Sequence, residues 1–146
     1  MQYSALFDDN PKATDGVGFV VTFPDFQWGV TQGDTEEEAR EMAVDALLLM
    51  IGEHIRKGEP LPRPSRPRGK KYRSIELPAM ESAKMELYNA FRAAGITKAE
   101  LARRVGIPKT TVDRLFDFRN HTRLDQLEAA FRALGKHVSI EVRDAA

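Results

Sequence analysis

The stretch TKAELARRVGIPKTTVDRLFDF, residues 97–118, decides the fold predicted for the second half of this chain. Its apolar residues recur at helical spacing on both sides of Gly106, which predicts two short helices joined by a sharp turn. Glycine can adopt the positive φ that such a turn requires, and Pro108 suits the first turn of the second helix. The expected buried positions are Leu101, Ala102, Val105, Ile107, Val112 and Leu115. We therefore predict a helix-turn-helix.

The polar residues of this motif indicate what it binds. A helix-turn-helix lays its second helix, here expected to span residues 108–118, in the major groove of DNA. Residues 97–123 carry seven basic and three acidic side chains, so this part of the chain is locally positive. Asp113 and Asp117 disfavour phosphate, so they either face cytosine amino groups or pair with Arg114 and neighbouring cations, and we expect the pairing. The predicted DNA contacts are Lys98, Lys109, Thr110, Thr111, Arg114 and Arg119.

Further helices are predicted on both sides of the motif. Residues 80–94 have helical periodicity and stop at Gly95, and Thr97 with Glu100 forms a capping box at the start of the next helix. A last helix ends at Gly135. Short helices with such brief loops predict a compact bundle. The predicted inner faces are Ala83, Leu87, Ala90, Phe91 and Ala94 in the first of these helices and Leu124, Leu127, Phe131 and Leu134 in the last.

The tail at residues 137–143 alternates like a strand, with Val138, Ile140 and Val142 on one side. A single strand after a helical bundle has no sheet to join, and an unpaired edge is a liability. Pairing with the same strand of a second copy would remove that edge. We therefore predict a homodimer or higher homo-oligomer, which also suits the reading of a palindromic DNA site.

The first half of the chain predicts a small antiparallel sheet. Tyr3, Ala5 and Phe7 alternate onto one face, and the segments after them have the β-branched and aromatic content of strands. The connections are short, which favours a meander. The predicted strands are residues 2–7, 17–23 and 28–32, with a turn at residues 8–16.

One long helix is predicted to cover this sheet. Thr35 and Glu38 form a T-x-x-E capping box, and the neighbouring acidic residues suit the positive end of the helix dipole. Lys57 and Gly58 end the helix in the expected way. The apolar stripe expected to pack on the sheet is Ala39, Ala43, Ala46, Leu47 and Met50.

A proline-rich segment, residues 59–70, follows this helix and favours an extended, semi-rigid chain. Residues 72–77 resemble a strand that returns to the first sheet, so the segment need not divide domains. We place the boundary near Pro78 and Ala79, which gives domains at residues 1–78 and 79–146. The basic residues at 63–73 fit a solvated loop, and contact with DNA phosphate is the alternative.

Composition excludes several classes of protein. The chain has no cysteine, and its three histidines lie far apart in sequence, so we expect no metal site and no cofactor. No apolar run is long enough to span a bilayer, and the start does not resemble a signal peptide. We therefore expect a cytoplasmic protein that contacts no membrane.

The formal net charge of zero conceals a division between the two ends of the chain. Residues 1–59 carry four Lys or Arg against twelve Asp or Glu, whereas residues 60–73 carry six basic and no acidic side chains. An acidic front half would repel nucleic acid and suits a basic protein partner. Acidic residues that merely keep the fold soluble are the alternative interpretation.

Nearly the whole chain resembles the HicB family of antitoxins in its helix-turn-helix form. The resemblance rests on VGFVVTFPDFQWGVTQGDTEEEARE, EPLPRPS, LYNAFRAAGITKAELARRVGIPKTTVDRLFD and LDQLEAAFRALGKHVSI. The most specific part is FPDF, then TQGDT, then an acidic helix, followed by a phage-repressor-like reader. Trp28 and Gly29 depart from the family, which more often has glycine and cysteine there.

The resemblance implies a two-part function. An N-terminal domain with a reduced ribonuclease-H-like fold would bind and block a HicA-type toxin, a small basic ribonuclease that cleaves mRNA. A C-terminal domain would bind double-stranded operator DNA and repress the operon. Trp28 fits a core position or an interface anchor equally well. The predicted toxin contacts are Asp25, Trp28, Gln32, Asp34, Glu36 and Glu37.

Two alternatives belong to other classes of protein. A ribonuclease of the H type would need several carboxylates around paired metal ions, but turns and a helix cap already explain the available aspartates, so we expect no catalytic residues. A stand-alone helix-turn-helix transcription regulator, whose front domain senses a ligand or a protein, is the main rival. The carboxylate candidates for catalysis are Asp8, Asp9, Asp25 and Asp34.

Overall fold

The computed structural model describes residues 1–13 and 18–145 and has an α+β fold. The chain divides into two compact units, Met1–Ser82 and Ala83–Ala146. The predicted turn at residues 8–16 lies partly outside the described residues, and so does Val17, the predicted start of the second strand. The strands are β1 Tyr3–Asp9, β2 Phe19–Thr22, β3 Val30–Gly33 and β4 Tyr72–Ile75. The helices are α1 Glu36–Arg56, α2 Ala79–Ala94, α3 Lys98–Val105, α4 Lys109–Leu115 and α5 Leu124–Ala133.

The first unit contains the predicted antiparallel sheet, with the strand order β3-β2-β1-β4. Leu6 lies opposite Thr22 on one side and Tyr72 on the other, and Thr22 lies opposite Val30. The meander and the return of a fourth strand are therefore confirmed. β3 begins at Val30 rather than Trp28, so it is shorter at its start than predicted.

The core of the first unit lies between the sheet and α1. Tyr3, Ala5 and Phe7 are buried as their alternation predicted. Gly33 allows β3 to approach the helix, because a Cβ atom there would lie 2.4 Å from the backbone nitrogen of Ala39. The predicted apolar stripe of α1 omitted Ile51, which is buried, and included Ala46, which is only half-buried. The buried residues of α1 are Ala39, Ala43, Leu47, Met50 and Ile51.

The start of α1 is fixed by the predicted capping box. The Glu38 backbone N–H donates to Thr35 Oγ1 over 3.1 Å, and Glu38 Oε2 accepts from the backbone N–H of Asp34 over 3.1 Å. The carboxylate therefore reaches one residue before the cap. These bonds satisfy donors that a helix start leaves without a partner.

The proline-rich segment at residues 59–70 has no helix or strand and is fixed to the first unit. The Tyr3 hydroxyl donates to the Pro62 carbonyl over 2.7 Å. The Ser65 backbone N–H donates to both carboxylate oxygens of Asp25, over 3.1 and 3.0 Å. The segment is therefore held against the first unit at two points.

In the second unit, α3 and α4 are the two short helices predicted around Gly106. Gly106 has φ 79° and follows α3, and Thr97 Oγ1 accepts from the Glu100 backbone N–H over 3.1 Å. Pro108 is the N-cap of α4 rather than its first residue, and α4 is shorter than the predicted helix at 108–118. The buried residues are Leu101, Ala102, Val112 and Leu115, whereas Val105 and Ile107 are half-buried.

Two predicted helix faces are partly wrong. The buried face of α2 contains Lys84, Met85 and Tyr88 beside Leu87, while Ala94 is exposed. The side of α2 that carries the larger side chains faces the core, because burying them removes more apolar area from water than burying alanines does. Leu124 is 45% exposed. It is the first residue of α5, whose buried positions begin one turn later at Leu127.

The predicted C-terminal strand is not present in the described chain. Residues 136–145 form neither helix nor strand, with Val138 half-buried and Ile140 and Val142 exposed. A strand is defined by hydrogen bonds to a neighbouring strand, which a single copy does not supply for this segment. Among the described residues, no helix is long and apolar enough to cross a membrane.

Candidate functional sites

The outer side of α4 carries the first group of predicted DNA contacts. Lys109, Thr110 and Arg114 are exposed and Thr111 is half-buried, because Val112 and the end of the helix turn inward. Within residues 1–13 and 18–145, neither Lys109 nor Arg114 takes part in an ion pair. Both cations are therefore available for an external anion.

The other two predicted cations are paired with carboxylates. Lys98 Nζ lies 2.8 Å from Asp113 Oδ1. Arg119 makes a two-pronged contact with Asp117, with Nη2–Oδ2 and Nε–Oδ1 distances of 3.0 and 3.1 Å. Pairing of the two aspartates is confirmed, but their partners are Lys98 and Arg119 rather than Arg114. Exposed pairs of this kind contribute little stability, so either cation can exchange its aspartate for phosphate at low cost.

The Asp117 carboxylate also organises the turn after α4. A side-chain hydrogen bond from Arg119 lowers the pKa of Asp117, helped by a backbone N–H of the same residue and by the charge of Lys84. Asp117 therefore stays ionised beside Arg119 at the end of α4.

Sequence reasoning missed Lys84, a buried cation beneath the end of α4. Its Nζ atom donates to the main-chain carbonyls of Arg114, Asp117 and Asn120. A signal was available, because Lys84 shares a helical face with Tyr88 and Phe91, at intervals of four and three residues. A lysine in line with aromatic core residues calls for internal acceptors.

The first unit exposes apolar side chains beside its β3 edge. Trp28 is 54% exposed and Val30 is 69% exposed, so Trp28 is not a core residue. β3 is an edge strand of the sheet, and Gln32, also exposed, lies two residues beyond Val30 on the same face. Gly29, with φ 117°, makes the bend between Trp28 and Val30. A Cβ atom at this position would lie 2.3 Å from the sulfur of Met50, so a larger residue would not fit without a shift. Val30 was not among the predicted contacts.

Two of the predicted toxin contacts, Asp25 and Glu36, are bonded to other residues of the first unit. The Asp25 carboxylate holds the proline-rich segment through Ser65. Glu36 lies 2.9 Å from Arg73 and 3.4 Å from Arg40. The hydrogen bond from Arg73, with the nearby charges of both arginines, lowers the pKa of Glu36. This carboxylate therefore joins the start of α1 to β4.

The remaining acidic predictions face outward. Asp34 and Glu37 are exposed at the start of α1, and in the part of the chain that the structure describes their carboxylates form no ion pair. The exposed apolar pair of the β3 edge thus lies close in sequence to two uncompensated negative charges. We call Trp28, Val30, Gln32, Asp34 and Glu37 the β3-edge patch.

The carboxylates considered for catalysis do not converge. Asp8 and Asp9 lie 2.9 and 4.0 Å from Lys71. Asp25 is bonded to the proline-rich segment, and Asp34 lies at the start of α1. Among residues 1–13 and 18–145, no group of three or more His, Asp or Glu side chains could hold a metal ion.

Comparison with known proteins finds relatives along most of the chain. Residues 2–86 match the family model described as the HicB_like antitoxin of bacterial toxin-antitoxin system. The chain is 41% identical to "Antitoxin HicB" of Escherichia coli (strain K12) over 140 residues, which cover 96% of this chain and 98% of that protein. It is 37% identical to "Antitoxin HicB 1" of Photorhabdus laumondii over 125 residues, 86% of this chain and 79% of that one.

A chain of a solved structure, "Toxin-Antitoxin complex from Streptococcus pneumoniae", is 35% identical and covers 45% of either chain, with a TM-score of 0.40. The full-length relatives define the class: a non-enzymatic antitoxin of a toxin–antitoxin system. More particularly, the chain belongs to the HicB family, as the sequence resemblance predicted.

Proposed function

We propose that this antitoxin neutralises a HicA-type mRNA-cleaving toxin through its first unit and represses its own operon through its second. The toxin would lie on the β3-edge patch, and operator DNA on α3 and α4 acting as a helix-turn-helix. A cytoplasmic location is part of this proposal, since both proposed partners would be met there.

The observation that carries the toxin half is the exposure of Trp28 and Val30 beside an edge strand. Tryptophan is one of the residues most enriched among the hot spots of protein interfaces. The unpaired carboxylates of Asp34 and Glu37 would attract a basic partner and accelerate its association. Asp25 and Glu36 stay in the proposed contact set, and their bonds to Ser65 and Arg73 would also hold this surface from within the unit.

The DNA half is supported by the exposed side of α4. Lys109 and Arg114 have no carboxylate partner among the described residues, which leaves them for phosphate or a guanine edge. Thr110 and Thr111 can donate to phosphate or contact a thymine methyl group. Lys98 and Arg119 are held by aspartates near the same helix and would add phosphate contacts.

A homodimer would let the helix-turn-helix of each copy bind one half of a palindromic DNA site. Val138, Ile140 and Val142 are the proposed pairing residues, and the exposure of Ile140 and Val142 in a single copy supports this role. Pairing two copies of residues 137–143 would bury these side chains and satisfy the free backbone groups together.

One experiment tests both halves. The chain is co-expressed with the product of the adjacent reading frame, and the complex is assayed for mRNA cleavage and for binding to the promoter DNA upstream. We expect co-purification with a short basic protein, suppressed cleavage and promoter binding. Promoter binding without any toxin partner would instead support a stand-alone regulator, and suppression without promoter binding would remove the repressor half.

A further inference from the structure

Lys84 is the most deeply buried charged residue described in the second unit. It lies in α2 with 0% of its surface exposed. Its Nζ atom lies 3.0 Å from the carbonyl oxygen of Arg114, 2.7 Å from that of Asp117 and 2.5 Å from that of Asn120. A buried amine carries a large desolvation cost unless such acceptors surround it.

The three carbonyl acceptors suit an ammonium group. A lysine ammonium has three N–H donors, whereas the neutral amine has two, so three carbonyl acceptors are matched by the cation. These carbonyls lie near the end of α4, where a helix leaves carbonyl groups without partners and carries partial negative charge. Lys84 therefore supplies both the donors and the charge that this end requires.

The three carbonyls form a series, each three residues after the last. The Asp117 backbone N–H donates to the Arg114 carbonyl over 3.2 Å, and the Asn120 backbone N–H donates to the Asp117 carbonyl over 3.2 Å. Successive turns of the chain thus place their carbonyls toward one ammonium group. Lys84 joins these turns through the second acceptor site of two of the carbonyls.

The same face of α2 also holds the end of α4 through aromatic contacts. Phe116, the C-cap of α4, lies 5.7 Å from the ring of Tyr88 at 80°, and 5.1 Å from the ring of Phe91 at 40°. Lys84, Tyr88 and Phe91 form what we call the α2 clamp. Such edge-on and tilted ring pairs add stability beyond the area they bury.

The clamp acts directly on the proposed DNA reader. The first acceptor of Lys84 is the carbonyl of Arg114 itself, and Arg119 lies between the second and third acceptors. We propose that Lys84 is a positioning residue for DNA recognition, which fixes the end of α4 and so the direction of Arg114 and Arg119. This inference rests on the proposed operator binding. Lys84 itself is buried and touches no DNA.

The test compares two full-length variants that weaken the second unit differently. Lys84→Met removes the ammonium, whereas Leu127→Ala creates a cavity in α5 and leaves the donors in place. Lys84→Met is expected to lower operator affinity about tenfold, because the turns that carry Arg114 and Arg119 are no longer fixed and a bidentate base contact is weakened. Binding to random DNA should change much less, so the operator preference falls.

Local order provides a second measurement on the same samples. Amide hydrogen exchange of Asp117 and Asn120 should become faster in Lys84→Met, ahead of the amides of α3. Leu127→Ala should accelerate exchange across the second unit while its folded form keeps the operator preference. Toxin binding, measured by calorimetry, should be unchanged in both variants, since the β3-edge patch lies in the first unit.

Several results would overturn the proposal. It fails if Lys84→Met keeps the operator preference, or if its exchange profile matches that of Leu127→Ala. If Lys84→Met does not fold, Lys84→Gln, which keeps an amide donor, must show the same two effects for the proposal to stand. An unsubstituted chain that does not prefer its operator would refute the proposed function, while the exchange measurement would still decide the role of Lys84.

Discussion

Two arginines of the second unit, Arg114 and Arg119, differ in their electrostatic surroundings. Arg114 projects from the last turn of α4 and has no carboxylate partner among residues 1–13 and 18–145. Arg119 lies after the helix and is paired with Asp117, which raises the pKa of the guanidinium further. We therefore expect Arg114 to read a base and Arg119 to contact phosphate.

Replacing Arg114 tests this distinction. Arg114→Ala should weaken specific operator binding by about 1–3 kcal/mol and relax the preference at one base pair, as loss of a bidentate contact to guanine would. Fluorescence anisotropy with the operator and its single-base variants measures both effects. Arg123→Ala is the control, because Arg123 is exposed and already paired with Asp125 at 2.7 Å. Equal losses in the two variants would remove Arg114 from the reader.

Trp28 provides the corresponding test in the first unit. Trp28→Ala should weaken the toxin complex by roughly 2 kcal/mol or more, as truncation of a central aromatic anchor does. Leu49→Ala is the matched control, since Leu49 is 72% exposed and lies in α1 rather than beside β3. Isothermal titration calorimetry with an inactive toxin measures the affinity of each variant. A larger loss for Leu49→Ala would move the interface from the β3 edge to α1.

At the scale of elements, helix starts are where the sequence is most informative. The capping threonines Thr35 and Thr97 each accept the predicted backbone N–H three residues later, because these contacts are local. Helix faces are less certain from sequence, as α2 shows, because the buried side depends on residues distant along the chain. The same applies to α5, where Leu124 belongs to the apolar pattern and is still exposed.

Helix α3 gives a prediction of pH dependence. Glu100 accepts hydrogen bonds from Arg103 and Arg104, which lower its pKa from 4.5 to about 2. A carboxyl group whose pKa is lower in the folded chain than in the unfolded chain stabilises the folded state when it is ionised. This contribution is present above about pH 4.5 and is lost as the pH falls toward 2. The melting temperature of Glu100→Gln should therefore change less between pH 5 and pH 3 than that of the unsubstituted chain. An identical change would show that Glu100 does not contribute.

At the scale of the whole molecule, the two units have separate chemistry. The first exposes apolar and acidic groups beside β3, whereas the second exposes cations on α4. This division suits the proposed binding of a basic protein by one unit and of DNA by the other, in a chain of net charge zero. It also predicts that substitutions in one surface leave the other partner's affinity unchanged.

The tail tests the assembly of the molecule. If the proposed dimer forms through the tail, deleting residues 136–146 should leave monomers, because the pairing side chains Ile140 and Val142, the latter 90% exposed, are removed. Sedimentation velocity at several concentrations measures the change, with Val142→Asp as a milder variant that keeps the full length. Dimers that survive the deletion would exclude pairing through this segment.

The sequence by itself determined the local structure and the family. Alternation gave the inner face of β1, capping residues gave the starts of α1 and α3, and Gly106 gave the turn, since each depends on neighbours within a few residues. Only the tertiary structure decided the role of individual charges. Asp25 is bonded to Ser65, 40 residues away, and Glu36 is bonded to Arg73, 37 residues away. Lys84 became a clamp for the same reason: a charge is defined by what the fold places around it, and the carbonyls near it are 30 to 36 residues distant.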